Sequence, residues 1–265
     1  MIGIFDSGIG GLTVASEIQY HMPEHDIVYL GDTLRAPYGD ASVNEIRQYA
    51  KQQASWLKER GAHVIVTACH TLSTLAYDDI SSAAGVPVLG MVNPVIISAL
   101  KHSRKGNIGI IATQGTINSG VYQKRITAYA ANRNQNVEVH PLATPELVPL
   151  IEGNTLVETL EETLERILAP LIKRKIDTLI LGCTHYPLIR QHIERVVGHK
   201  VVVIDPSVEM TKQLIDYLAK HESFSENLST TQKRQYYFTD VSDHLKSALA
   251  FMFDERINPQ KTVLP

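Results

Sequence analysis

The chain contains two cysteines, Cys69 and Cys183, in matching surroundings: Ala68-Cys69-His70-Thr71 and Gly182-Cys183-Thr184-His185. Each ends an apolar, β-branched run and opens into polar residues. A thiolate is a strong, weakly hydrated base whose pKa falls near cations and helix N-termini, which suits it to taking a proton from carbon. Two thiols on opposite faces of one substrate would let one remove a proton while the other returns one. The product would then be the substrate's mirror image. His185, close behind Cys183, is placed to support that thiol or to act as an acid, and Asp6 can do the same for Cys69 if the fold joins their strand ends. The bland alternative is a pair of buried, inert thiols, the usual fate of an intracellular cysteine. Matched, polar-flanked positions argue against it. Zinc competes as well, but Cys69 and His70 would point to opposite faces of an extended segment, and the short Cys-x-x-Cys knuckle is missing.

Such residues need strands to present them. Short β-rich runs at Ile2 to Phe5, Asp26 to Leu30, Val64 to Thr67, Val86 to Gly90, Asn107 to Ile111, Val137 to Pro141, Thr178 to Leu181 and Val201 to Ile204 alternate with helical patterns such as Val43 to Arg60, Ser119 to Asn132 and Leu156 to Lys173. This alternation predicts an α/β fold with mostly parallel sheets, whose functional residues gather at the carboxyl ends of strands. The chain also echoes itself. Ile2 to Gly8 resembles Ile108 to Gly115, and His63 to Thr71 resembles Asp177 to His185, at similar offsets. Two related halves would present one thiol each to a shared crevice.

Two loops at the same strand ends complete the pattern. Asp6-Ser7-Gly8-Ile9-Gly10-Gly11 lies between the first strand and a helical run from Leu12 to Tyr20, where backbone N–H groups can hold an anion or Asp6 can simply cap the helix. Its spacing is not that of a dinucleotide or Walker loop. Gly31-Asp32-Thr33 and Ala36-Pro37-Tyr38-Gly39 follow the second strand, where backbone donors can orient a carboxylate or form ordinary turns.

Composition narrows the partners. Hydrophobic residues make up 44% of 265 residues, enough for a substantial core, and a net charge of −3 with dispersed signs offers no polybasic footprint for nucleic acid or anionic lipid. The start has no basic segment followed by an apolar one, and no apolar run is long enough for a bilayer, so a cytoplasmic protein with reduced thiols is expected. A homodimer is compatible with the sequence.

Taken together, Ile4-Phe5-Asp6-Ser7-Gly8-Ile9-Gly10-Gly11-Leu12-Thr13-Val14, Leu30-Gly31-Asp32-Thr33 with Pro37-Tyr38-Gly39, Ala68-Cys69, and Leu181-Gly182-Cys183-Thr184-His185-Tyr186-Pro187-Leu188 resemble the glutamate racemases of the cofactor-independent aspartate/glutamate racemase superfamily. Weaker matches at Ile108 to Gly120, Val148 to Gly153 and Tyr237-Phe238-Thr239 extend the likeness over nearly the whole chain. The resemblance implies two pseudo-symmetric α/β domains with the active site in the cleft between them: residues 1–94 plus 207–265 carrying Asp6 and Cys69, and residues 95–206 carrying Cys183 and His185. It implies that Cys69 and Cys183 exchange the α-proton, supported by Asp6, His185 and Glu152. Ser7, Pro37, Tyr38, Gly39, His70, Thr71, Thr116 and Thr184 would hold the amino acid. That chemistry needs no pyridoxal phosphate, metal or nucleotide, and would supply D-glutamate for peptidoglycan.

One departure stands out. After the first cysteine the family reads Asn-Thr-Ala-Ser, whereas this chain reads His70-Thr71-Leu72-Ser73. Asparagine offers an amide donor and an acceptor; neutral histidine offers one of each in another shape. Ala143-Thr144-Pro145 and Asp205-Pro206-Ser207 depart from the family's Ala-Cys-Pro and Asp-Ser-Gly as well. These differences leave room for a racemase of another amino acid such as aspartate, or for a catalytically weak amino-acid-binding or regulatory protein.

Overall fold

The computed structural model describes residues 1–38, 41–153, 157–253 and 257–265. Strands β1 (Ile2–Asp6), β2 (Ile27–Gly31), β3 (Val64–Thr67) and β4 (Val88–Gly90) form one sheet with β9 (Arg234–Phe238) and β10 (Pro259–Lys261), in the order β10-β9-β2-β1-β3-β4. Strands β5 (Asn107–Ala112), β6 (Glu138–Ala143), β7 (Thr178–Gly182) and β8 (Val202–Ile204) form the other, in the order β6-β5-β7-β8. Every pairing is parallel. The run 2-1-3-4 of the first sheet has the same topology as 6-5-7-8 of the second, so the internal echoes in the sequence fall on equivalent strands. Cys69 follows β3 and Cys183 follows its counterpart β7.

The inner parallel strands β1, β2, β3, β5 and β7 are covered on both faces, which explains their nearly continuous apolar runs. In β1 the period-2 alternation sends Ile2 and Ile4 into a core with Leu12, Ile18, Met210 and Leu214, while Phe5 packs on the other face with Ala50, Ala54 and Leu57. In β7 Leu179 and Leu181 meet Leu164 and Leu168, and Ile180 meets Val95 and Tyr122. Each such buried side chain contributes about 1.5–3 kcal/mol. The helix Val43–Glu59 starts on a capping box in which Ser42 and Glu45 satisfy each other's backbone N–H, a device worth about 1 kcal/mol.

Strands β9 and β10 lie outside the strand pattern of the sequence. Arg234-Gln235-Tyr236-Tyr237-Phe238 carries polar residues at its start, and Pro259-Gln260-Lys261 is short and mostly exposed, so neither shows a buried strand's signature. No helix among the described residues is long and apolar enough to cross a membrane.

Candidate active site

Asp6 ends β1, and the glycine turn behind it folds back onto its carboxylate. Oδ2 accepts the N–H groups of Gly8 at 3.2 Å and Gly11 at 3.0 Å. The anion held by these two donors is therefore the protein's own. Oδ1 of Asp6 is buried with no hydrogen-bond partner among the described residues. Burial raises the Asp6 carboxyl above its ordinary range, opposed by the His185 charge and by the N–H groups of Gly11, Gly8 and Ser7.

One strand away, Cys69 lies just before the helix His70–Leu75, extended at φ −73° and ψ 123°. Its Sγ stands 3.4 Å from Ser7 Oγ. Burial and then the Asp6 carboxylate push this thiol up to about 12, with the Ser7 hydroxyl and the Leu72 N–H opposing and the Cys183 charge adding to the rise. The two sulfurs are thus within electrostatic reach of each other. Cys69 rests as a thiol, a proton donor.

The second half supplies a different environment. Cys183 follows β7, its Sγ lies 3.8 Å from His185 Nδ1, and His185 Nε2 lies 2.8 Å from Glu152 Oε1 at the end of the helix Leu147–Glu152. Burial works against an imidazolium here, but the Cys183 sulfur and the Glu152 carboxylate more than offset it and raise His185 to about 10. His185 is therefore a cation at neutral pH, wedged between a sulfur and a carboxylate.

Contacts across the halves bring these groups together. The Thr13 hydroxyl lies 2.9 Å from both the Gly10 and the Thr184 carbonyl and shares its one donor between them. Gly10 packs so closely on Thr184 and His185 that a Cβ would overlap both side chains, standing 2.5 Å from Thr184 Oγ1. Thr71 Oγ1 meets Thr113 Oγ1 at 3.0 Å and Thr116 Oγ1 at 3.2 Å. His70 Nδ1 meets the Tyr122 hydroxyl at 2.6 Å.

Residues 13–214 match the model of Asp/Glu/hydantoin racemases. The chain belongs to the Asp/Glu/hydantoin racemase family. Members of this family resemble it over their full lengths: the glutamate racemase of Aquifex aeolicus is 39% identical over 262 residues, covering 98% of this chain and 97% of that protein. That of Streptococcus equi subsp. equi is 36% identical over 264 residues, covering 99% and 98%. Among solved structures, a glutamate racemase isoform of Bacillus anthracis superimposes with a TM-score of 0.89 at 34% identity, covering 100% of this chain and 98% of that one. The Francisella tularensis glutamate racemase, solved with D-glutamate, gives 0.87 at 31% identity, covering 99% and 96%.

Measured against the residues expected of a racemase of this family, Asp6, Ser7 and Cys69 cluster at one set of strand ends and Cys183, Thr184 and His185 at the other, where Glu152 reaches His185 from the end of a helix. Thr71 and Thr116 meet between them. Pro37 is exposed, Gly39 lies outside the described residues, and Tyr38 is buried with its hydroxyl donated to Asp32 and receiving Gln53 Nε2 at 2.8 Å. The Tyr38 hydroxyl thus serves the protein itself. His70 is buried, and burial pushes its ring down to about 3, so it stays neutral. Its Nε2 has no partner among the described residues.

Sequence patterns do not single out Thr13, Thr113, Tyr122 or Tyr29, whose hydroxyl donates to the Gly8 carbonyl at 2.8 Å. Threonines and tyrosines in apolar runs look like packing residues, and only pairing partners far along the chain expose their polar roles. Among the described residues no group of three or more His, Cys, Asp and Glu side chains is arranged to hold a metal ion.

Proposed function

We infer that this chain interconverts L- and D-glutamate by two-base proton transfer at the α-carbon, with Cys69 and Cys183 as the bases. Full-length relatives named glutamate racemase support the activity. The observation that carries the mechanism is the placement of the two thiols on topologically equivalent strand ends, within electrostatic reach, each with its own polar support. A thiolate takes the α-proton from one face and becomes a thiol; the opposite thiol gives its proton to the other face of the carbanion and becomes a thiolate. The reverse direction exchanges the roles. The free enzyme is poised with Cys69 as the thiol and Cys183 beside an imidazolium, the Glu152 carboxylate holding that cation in place. The His185 cation stabilises the negative charge that develops near the reacting carbon in a buried site, where it is felt most strongly, and Asp6 favours the thiol form of Cys69.

Ser7, Thr71, Thr116 and Thr184 provide hydroxyl and backbone groups for the amino and carboxylate ends of the substrate, and the segment of Pro37, Tyr38 and Gly39 takes the side-chain carboxylate. His70 can offer only Nε2 to the head group, since Nδ1 is engaged with Tyr122. In this reading residues 1–94 plus 207–265 and residues 95–206 form the two lobes, free glutamate is the small-molecule partner, and the D-glutamate feeds peptidoglycan synthesis in the cytoplasm.

The test is solvent-deuterium incorporation at the α-carbon of each enantiomer, together with net racemisation, across glutamate, aspartate and other amino acids. Exchange confined to glutamate supports the reading. Exchange with another amino acid at higher kcat/KM would assign a different substrate, and binding without exchange would favour a regulatory amino-acid-binding protein.

A further inference from the structure

Thr239, just past the end of β9, touches neither thiol, yet its buried hydroxyl joins two parts of the segment that leaves β2. Thr239 Oγ1 donates to Asp32 Oδ1 at 2.9 Å, and its lone pairs accept the Leu34 N–H at 2.9 Å. One hydroxyl thereby fixes both a side chain and the backbone of the loop. The Asp32 carboxylate is fully buried, and its other oxygen takes Arg35 Nε at 2.7 Å and the Tyr38 hydroxyl. Its backbone N–H donates to the Asp6 carbonyl at 3.1 Å. Beside this relay Thr33 Oγ1 donates to the Asp240 carbonyl at 2.7 Å and receives the Asp240 N–H at 3.0 Å.

We propose that Thr239 is a positioning residue for the substrate's side-chain carboxylate, acting by clamping the loop Asp32–Tyr38 to the end of strand β9. The proposal rests on the reading in which Pro37 and Tyr38 belong to the pocket for that carboxylate. The clamp is made by residues some two hundred positions apart in sequence, so the C-terminal segment sets a binding loop near the N-terminus. Removing the hydroxyl leaves the Leu34 N–H and Asp32 Oδ1 without this partner, and the loop moves to find others. Both thiols stand on other strand ends, β3 and β7. The effect therefore falls on substrate binding more than on proton transfer.

The experiment compares the full-length parent with Thr239→Val, of the same shape without the hydroxyl, and Thr239→Ser, which keeps it. Racemisation of glutamate gives kcat and KM, and α-deuterium exchange is followed with glutamate and with 2-aminobutyrate, which lacks the side-chain carboxylate. Thr239→Val is expected to raise KM for glutamate about tenfold with kcat changed less than about threefold, and to narrow the preference over 2-aminobutyrate. Thr239→Ser is expected to keep the parental KM. An unchanged KM in Thr239→Val, a fall confined to kcat, or an equal loss in Thr239→Ser overturns the clamp. A parent with no preference for glutamate over 2-aminobutyrate removes the carboxylate pocket itself, and the proposal with it. Should Thr239→Val not fold, Thr33→Val at the neighbouring pair carries the same expectation, and an unchanged KM there overturns the proposal.

Discussion

His70 and Tyr122 pin the two halves together: a buried imidazole next to the first thiol meets, at 2.6 Å, the hydroxyl of a tyrosine packed under the second sheet. The rings lie nearly parallel, 29° apart, with centroids 6.0 Å from each other. His70 thus has a structural partner of its own.

That pairing makes a stability prediction. Tyr122→Phe leaves both nitrogens of a buried neutral imidazole unpaired and is expected to cost about 1–3 kcal/mol, read from urea unfolding at neutral pH. The pH dependence follows from the depressed ring. Folded His70 titrates near 3 and unfolded histidine near 6.5, so between these values the unfolded chain binds more protons. His70's contribution is complete above 6.5 and is lost as pH falls towards 3. His70→Asn, which does not titrate, should flatten the slope of stability against pH in that window. An unchanged slope would mean that the ring is protonated in the folded chain.

Cys69→Ser and Cys183→Ser are each expected to lower racemisation of glutamate by about 10²–10⁴-fold, because a serine hydroxyl ionises far less readily than a thiol. The fold should survive, since the substitutions are nearly isosteric. Each variant should keep a one-sided reaction, such as elimination from a substrate analogue, with opposite enantiomer preference. Parental racemisation by either variant would refute the two-thiol mechanism.

Glu152→Gln removes a carboxylate 2.8 Å from His185. The imidazolium then loses one of the two groups that raise it to about 10 and should titrate closer to 6.5. The alkaline limb of kcat/KM is expected to move to lower pH, as a pH–rate profile would show. Stability should change in the same sense: His185 contributes fully below 6.5 and loses its contribution as pH rises through about 10, and in the variant that loss comes earlier. A limb that stays in place would separate His185 from the rate.

Gly10→Ala puts a methyl group into the space of Thr184 and His185. Both side chains belong to the packed seam, so relief requires the halves to part slightly, at about 1–3 kcal/mol. Lower thermal stability together with reduced kcat is expected. Parental values for both would show that the seam yields freely.

Much of this protein is legible in its sequence because local chemistry dictates it. Short β-rich runs mark β1 through β8, most continuously apolar in the inner strands β1, β2, β3, β5 and β7, glycines follow β1 and close β2 and β7, and the two matched cysteine segments point to a duplicated site. Strands β9 and β10 are not legible, since their polar, partly exposed residues are held by neighbours that come from elsewhere in the chain. The same reason hides the cross-half partners. Nothing near Cys183 foretells that Glu152 will hold its histidine, nothing near His70 names Tyr122, and nothing near Asp32 points to Thr239. Protonation states belong to this second class. His185 departs in charge from free histidine, and Cys69 in acidity from free cysteine, only because folding removes water from them and brings selected carboxylates, hydroxyls and sulfurs within a few ångströms.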